Sequence, residues 1–100
     1  MSNHNIMHVT IRDTDSILFD GDADRVTSFN EVGRFDVFPM HANFISIINQ
    51  EVEVYLKHKL INQLTIEQAV MKVKQDNVHI FLGIETLFVD EKASADNPIS

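Results

Sequence analysis

The stretch Ala69-Val70-Met71-Lys72-Val73-Lys74-Gln75-Asp76-Asn77-Val78-His79-Ile80-Phe81-Leu82 decides the fold class. Ala69, Met71 and Val73 alternate with Lys72 and Lys74, and Val78, Ile80 and Leu82 resume the alternation after the polar triplet Gln75 to Asn77. Successive side chains of a strand point to opposite faces, so a period of two gives one dry face and one wet face. Two such runs joined by a short polar turn make a β-hairpin.

The same reading extends upstream. Lys57 to Gln68 holds Leu60, Leu64 and Ile66 at even spacing, which fits a strand. Val52, Val54 and Leu56 alternate with Glu51, Glu53 and Tyr55, and Phe44, Ile45, Ile47 and Ile48 form another strand after Ala42. Phe35 and Val37 alternate with Arg34 and Asp36 as far as Pro39, whose missing N–H ends regular pairing. Before the Asn30 to Gly33 loop lie Arg25 to Phe29, Ser16 to Asp20 closed by Gly21 and Asp22, and Met7, Val9 and Ile11 followed by the turn Asp13 to Asp15. Downstream, Ile84, Leu87 and Phe88 have helical spacing, but the β-branched and aromatic residues through Val89 favour a last edge strand. Turn residues recurring roughly every eight to twelve positions, with little helical periodicity, predict an all-β fold: an antiparallel β-sandwich of about ten short strands.

A chain of 100 residues suits one hydrophobic core. Residues 1–89 are read as that domain. Asp90 to Ser100, polar apart from Ile99 and containing Pro98, are expected to form a disordered tail. Fifteen Asp and Glu against eight Lys and Arg give a net charge of −7, which repels phosphate backbones and argues against a nucleic-acid partner. The absence of cysteine excludes disulfides, thiolate catalysis and Cys-ligated zinc. Met1 to Asn5 lack the basic and apolar regions of a secretory signal, so a cytoplasmic location is expected. The apolar runs are too short to span a bilayer, and any membrane association has to pass through another protein.

Catalytic spacing is missing. Asp20, Asp22, Asp24, Ser28 and Glu31 fall at the ligand positions of a calcium loop, but Arg25 stands where that loop needs glycine, and the flanks read as strands. His4, His8, His41, His58 and His79 show no metal-ligand spacing. Glu51 and Glu53 share a strand face that Val52 and Val54 identify as the wet one. No serine elbow or glycine-rich phosphate loop is present. The expectation is a protein with no catalytic residue, no cofactor and no metal.

Taken in order, Leu18-Phe19-Asp20-Gly21-Asp22-Ala23, Val26-Thr27, and Gly33-Arg34-Phe35-Asp36-Val37-Phe38-Pro39-Met40-His41-Ala42 resemble the N-terminal domain of the ATP synthase epsilon subunit. The late hairpin, Val70-Met71-Lys72-Val73 with Asn77-Val78-His79-Ile80, matches as well, so the resemblance runs from about Met7 to Leu87. Asp36 and Met40 replace two family glycines, and Glu67-Gln68 replaces a Gly-Gly pair. The backbone at those positions is therefore expected to adopt a conformation open to a residue with a Cβ.

The resemblance implies a ten-stranded sandwich at the foot of the central stalk, with the gamma subunit and the c-subunit ring as partners. It places the protein on the cytoplasmic side, peripheral to the inner membrane through the complex. It turns the loop of Asn30, Glu31, Val32, Gly33 and Arg34 towards the c ring, and the turn of Phe38, Met40, His41, Ala42 and Phe44 towards gamma. Arg34 stands where the family is often acidic, which implies an altered charge pairing with the ring. The family usually adds two C-terminal regulatory helices. These need on the order of 30 residues, whereas eleven follow Val89, so a coupling module without helix-extension inhibition is expected. The alternatives are a free-standing sandwich adopted for another ligand or assembly, and a small metal-dependent barrel enzyme using His41, His58 or His79.

Overall fold

The computed structural model describes residues 5–83, and every regular element among them is a strand. The strands are β1 (Met7–Arg12), β2 (Ile17–Ala23), β3 (Arg25–Asn30), β4 (Gly33–Val37), β5 (Phe44–Leu56), β6 (Lys59–Lys74) and β7 (Asn77–Leu82). They hydrogen-bond in the order β2-β1-β7-β6-β5-β3-β4. The hairpin on which the sequence reading turned is β6–β7, with Met71 opposite Ile80 and Val73 opposite Val78.

The all-β class holds, but the described residues carry seven strands and not about ten. Four of the expected short strands are the two halves of β5, at 13 residues, and β6, at 16. The polar interruptions that read as breaks are bulges. Ile48 faces Ala69 and Gln50 faces Ile66, so Asn49 stands opposite both Glu67 and Gln68. Such a bulge bends the ladder without ending it, and Gln50 takes a positive φ of 72° at the same point. The expected last strand after Ile84 and the tail at 90–100 lie outside the described residues.

The bend makes two layers from one continuous sheet. The 69–74 half of β6 joins β7, β1 and β2, while the 49–56 half of β5 joins β3 and β4. Inward side chains of both halves meet in one buried cluster, with Val9, Ile11, Met71 and Ile80 from the first and Val26, Val37, Val52 and Val54 from the second. That is the two-layer solution expected of sheets with one apolar face each. One pairing departs from the antiparallel expectation: β1 and β7 run parallel. No hairpin turn joins them, so nothing local imposes the antiparallel sense.

Buried polar groups at the bend are satisfied. Ser28 is fully buried, and its hydroxyl donates to the carbonyl of Glu51 at 2.7 Å. The β3–β5 register slips there, between Thr27 and Phe29, so the side chain replaces a ladder bond.

Candidate functional site

The residues singled out from the sequence fall on two turns at opposite ends of β4. Five extended residues separate them by roughly 17 Å, so they form two surfaces and not one.

The first surface is the β3–β4 turn. Asn30 pairs with Gly33 across the ladder, leaving Glu31 and Val32 at the tip. The Asn30 side-chain oxygen accepts the amides of Val32 (2.9 Å) and Gly33 (3.3 Å), while its amide nitrogen donates to Ser46 Oγ at 3.3 Å. This Asx turn is thereby fixed to β5. Gly33 has φ 137°, and a Cβ there would meet nothing within 4 Å, so the backbone and not crowding selects glycine. Val32 is 89% exposed, and Ile45 (67%) and Ile47 (46%) share one hollow with it. Arg34 is exposed on β4. Scattered exposed apolar residues are ordinary, but here three stand together beside a fixed turn as one exposed apolar patch.

The second surface is the β4–β5 turn. His41 N donates to Phe38 O at 3.1 Å, with Pro39 and Met40 between them. Met40 has φ 67°. Pro followed by a residue of positive φ is a type II turn, whose third position ordinarily takes glycine. Met40 thus answers the lost glycine with left-handed backbone, a small region that a residue with a Cβ can still enter. The turn keeps its glycine-like shape because it is tied down elsewhere: Met40 N donates to Asp76 Oδ1 at 2.6 Å, and Gln75 N donates to Asn43 Oδ1 at 2.9 Å. By contrast, Asp36 sits in regular β4 pairing opposite Thr27, whose hydroxyl donates to its carboxylate at 2.5 Å, so no special conformation is needed there.

His41 is anchored on aromatic rings. Its centroid lies 5.2 Å from that of Phe44, and Phe44 meets Phe35 edge-on at 6.2 Å. Its Nδ1 lies 3.0 Å from the carbonyl of Ala42, a contact in which Nδ1 carries a proton and donates it. Phe38 (49%) and Met40 (67%) are exposed beside it.

Two constellations were not read from the sequence. A cavity of about 560 Å³ opens where the β4–β5 turn meets the ends of β3 and β5, lined by Asp24, Arg25, Phe38, Met40, Tyr55 and His58 among others. The Arg25 guanidinium lies 3.8 Å from the Tyr55 ring centroid. The Tyr55 hydroxyl donates to Glu53 at 2.8 Å, which raises the tyrosine pKa and lowers that of Glu53. Elsewhere, His8 is held between Asp20 (2.5 Å from Nε2) and Asp22 (3.4 Å from Nδ1). The Asp20 hydrogen bond first, and then that of Asp22, raise its pKa above the ordinary 6.5. The signal for this group was the Asp13 to Asp15 turn, which sets His8 opposite Asp22 and Thr10 opposite Asp20.

The acidic run noted for its calcium-like spacing does not converge. Asp20 and Asp22 face His8, Asp24 accepts the Lys57 amide at 2.8 Å, and Ser28 is buried. Of the other histidines in the described residues, His58 sits in the β5–β6 turn and His79 stacks on Phe81 at 6.0 Å. Among the described residues, no group of three or more His, Cys, Asp or Glu is placed to hold a metal.

Comparison with known proteins agrees with the fold. The family profile described as ATP synthase, Delta/Epsilon chain, beta-sandwich domain matches residues 6–83. Among curated proteins there is no significant match. A chain from the cryo-EM structure of the Euglena gracilis mitochondrial ATP synthase, OSCP/F1/c-ring in rotational state 1, superposes with a TM-score of 0.70 at 16% identity, covering 78% of this chain and 51% of that one. A chain from the cryo-EM structure of the Tetrahymena thermophila mitochondrial ATP synthase central stalk and c-ring superposes at 0.61 with 12% identity, covering 75% and 61%. The chain thus spans about half to three-fifths of the length of these relatives.

Proposed function

Because this chain belongs to the ATP synthase delta/epsilon-chain β-sandwich family, we propose that it is a structural and coupling component of the rotary ATP synthase central stalk. It binds the gamma subunit through Phe38, Met40, His41, Ala42 and Phe44, and it rests on the c-subunit ring through Asn30, Glu31, Val32, Gly33 and Arg34. The observation that carries this reading is the family match over residues 6–83, which takes in both turns and nearly all of the described fold. The exposure of Val32, Phe38 and Met40 on turns held by side-chain hydrogen bonds supports it, since binding residues concentrate on loops positioned by a rigid scaffold.

The role is mechanical and requires no catalytic group, cofactor or metal from this chain. It works on the cytoplasmic side of the membrane, held there by the complex. No helix of the described residues is long and apolar enough to cross a bilayer. Separate turns for the two partners let one rigid body bridge gamma and the ring.

Co-expression with the gamma subunit of the same organism tests this. The two chains should elute together, and Phe38→Ser with His41→Ala should weaken the complex about tenfold or more. Val32→Ser should leave gamma binding unchanged while loosening attachment to the c ring in the assembled enzyme. A wild-type chain that never co-elutes with gamma would overturn the reading.

A further inference from the structure

Arg25 makes no ion pair with a carboxylate among the described residues, although its charge reaches Glu53 and helps to lower that group's pKa. The ion pairs among the described residues both belong to His8, although fifteen Asp and Glu stand against eight Lys and Arg. The adjacent acid, Asp24, accepts the Lys57 amide on its Oδ2 at 2.8 Å. Tyr55 lies beneath the Arg25 guanidinium at 3.8 Å and has committed its hydroxyl to Glu53. Arg25 Nε is buried, with no hydrogen-bond partner among the described residues. A guanidinium sealed on one edge and stacked on one face is fixed in place, and it lines the 560 Å³ cavity.

The other walls define what fits. Phe38, Pro39 and Met40 form an apolar side, and His58 lies between the exposed Lys57 and Lys59. In a chain of net charge −7, this end of the sandwich gathers Arg25, Lys57 and Lys59. Met40 and His58 both hold φ 67° without being glycine. Residues kept in sparsely populated backbone regions collect where a surface must hold one shape.

We propose that this cavity is the socket for one carboxylate side chain, Asp or Glu, of the polypeptide on which the β4–β5 turn docks. The inference rests on the proposed function, because Phe38 and Met40 belong both to that turn and to the cavity. A single fixed guanidinium matches a single negative charge and binds a carboxylate with two parallel hydrogen bonds. A phosphate dianion would leave one charge facing Asp24 with no second fixed cation. The apolar wall covers the methylenes of the entering side chain. The volume exceeds that of one side chain, so its neighbours on the partner enter with it.

The test uses the full chain and the gamma subunit of the same organism, with affinity measured by calorimetry. Arg25→Gln should weaken binding about 30-fold or more, and Arg25→Lys should recover only part of it, because an ammonium neither stacks flat nor forks. Replacing the gamma acids one at a time should reveal one position with the same loss, and combining it with Arg25→Gln should add little further. Arg25→Gln binding within threefold of wild type would overturn the socket while leaving the stalk assignment standing. A wild-type chain that does not bind gamma removes both. Should Arg25→Gln lower the melting temperature, the scan of gamma acids against the wild-type chain decides alone, and finding no single position of large effect overturns the socket.

Discussion

The amide of Met40 donates to the carboxylate of Asp76 at 2.6 Å and ties the β4–β5 turn to the β6–β7 turn. Both residues have positive φ, 67° and 64°, so a strained turn is held by a second strained turn. Left-handed backbone costs a non-glycine residue about 1–2 kcal/mol. Met40→Gly should therefore raise unfolding free energy by about 0.5–1 kcal/mol once the entropy of glycine is subtracted. On the proposed gamma contact, the same variant should also bind gamma more weakly, because it removes an exposed side chain. Asp76→Ala should cost about 1–2 kcal/mol and Asp76→Asn less, since asparagine keeps an acceptor and tolerates the left-handed region. Urea unfolding of the three variants checks the ranking.

His8 gives the protein a pH-dependent term of known sign. Its folded pKa is raised above the ordinary 6.5 by Asp20 and then Asp22. Its contribution is fully present below the unfolded value and is lost as pH rises through the folded value. Wild type should therefore lose a small part of its stability between about pH 6 and 8 relative to His8→Gln. The side chains are about half exposed, which keeps the effect modest. An NMR titration of His8 should show its midpoint falling further in Asp20→Asn, where the contact is 2.5 Å, than in Asp22→Asn, where it is 3.4 Å.

Ile80 is fully buried on a strand flanked on both sides, opposite Ile11 on β1 and Met71 on β6. Neighbours on two ladders limit collapse around a truncation. Ile80→Ala should cost about 2–5 kcal/mol and Ile80→Val about 0.5–1.5. Against a total stability of roughly 5–15 kcal/mol, the alanine variant should lower the thermal midpoint by many degrees.

Alternation exposed the class and most of the strands, because one face of each had to be dry. The bend was invisible for the same reason. Asn49, Gln50, Glu67 and Gln68 are polar whether the chain ends a strand there or bulges within it, and only the pairing partners distinguish the two. The two turns were legible from Asn30, Gly33, Pro39 and their order. The conformation at Met40 was not legible, because the sequence shows a lost glycine but not the Asp76 carboxylate that holds the backbone in place. The Arg25 cavity draws on the β2–β3 corner, the β4–β5 turn and the far end of β5, so no local spacing could have announced it.

Because β5 and β6 each run through both layers, the sandwich has no seam along which its halves can part. A load entering at the Val32 tip passes into β3 and β4, then along the backbone of β5 and β6, into the sheet that holds β7 and β1. Its path is covalent chain and ladder hydrogen bonds throughout, never a sliding contact between layers. A twist applied at one end of the sandwich is thereby carried to the other without slip between its layers.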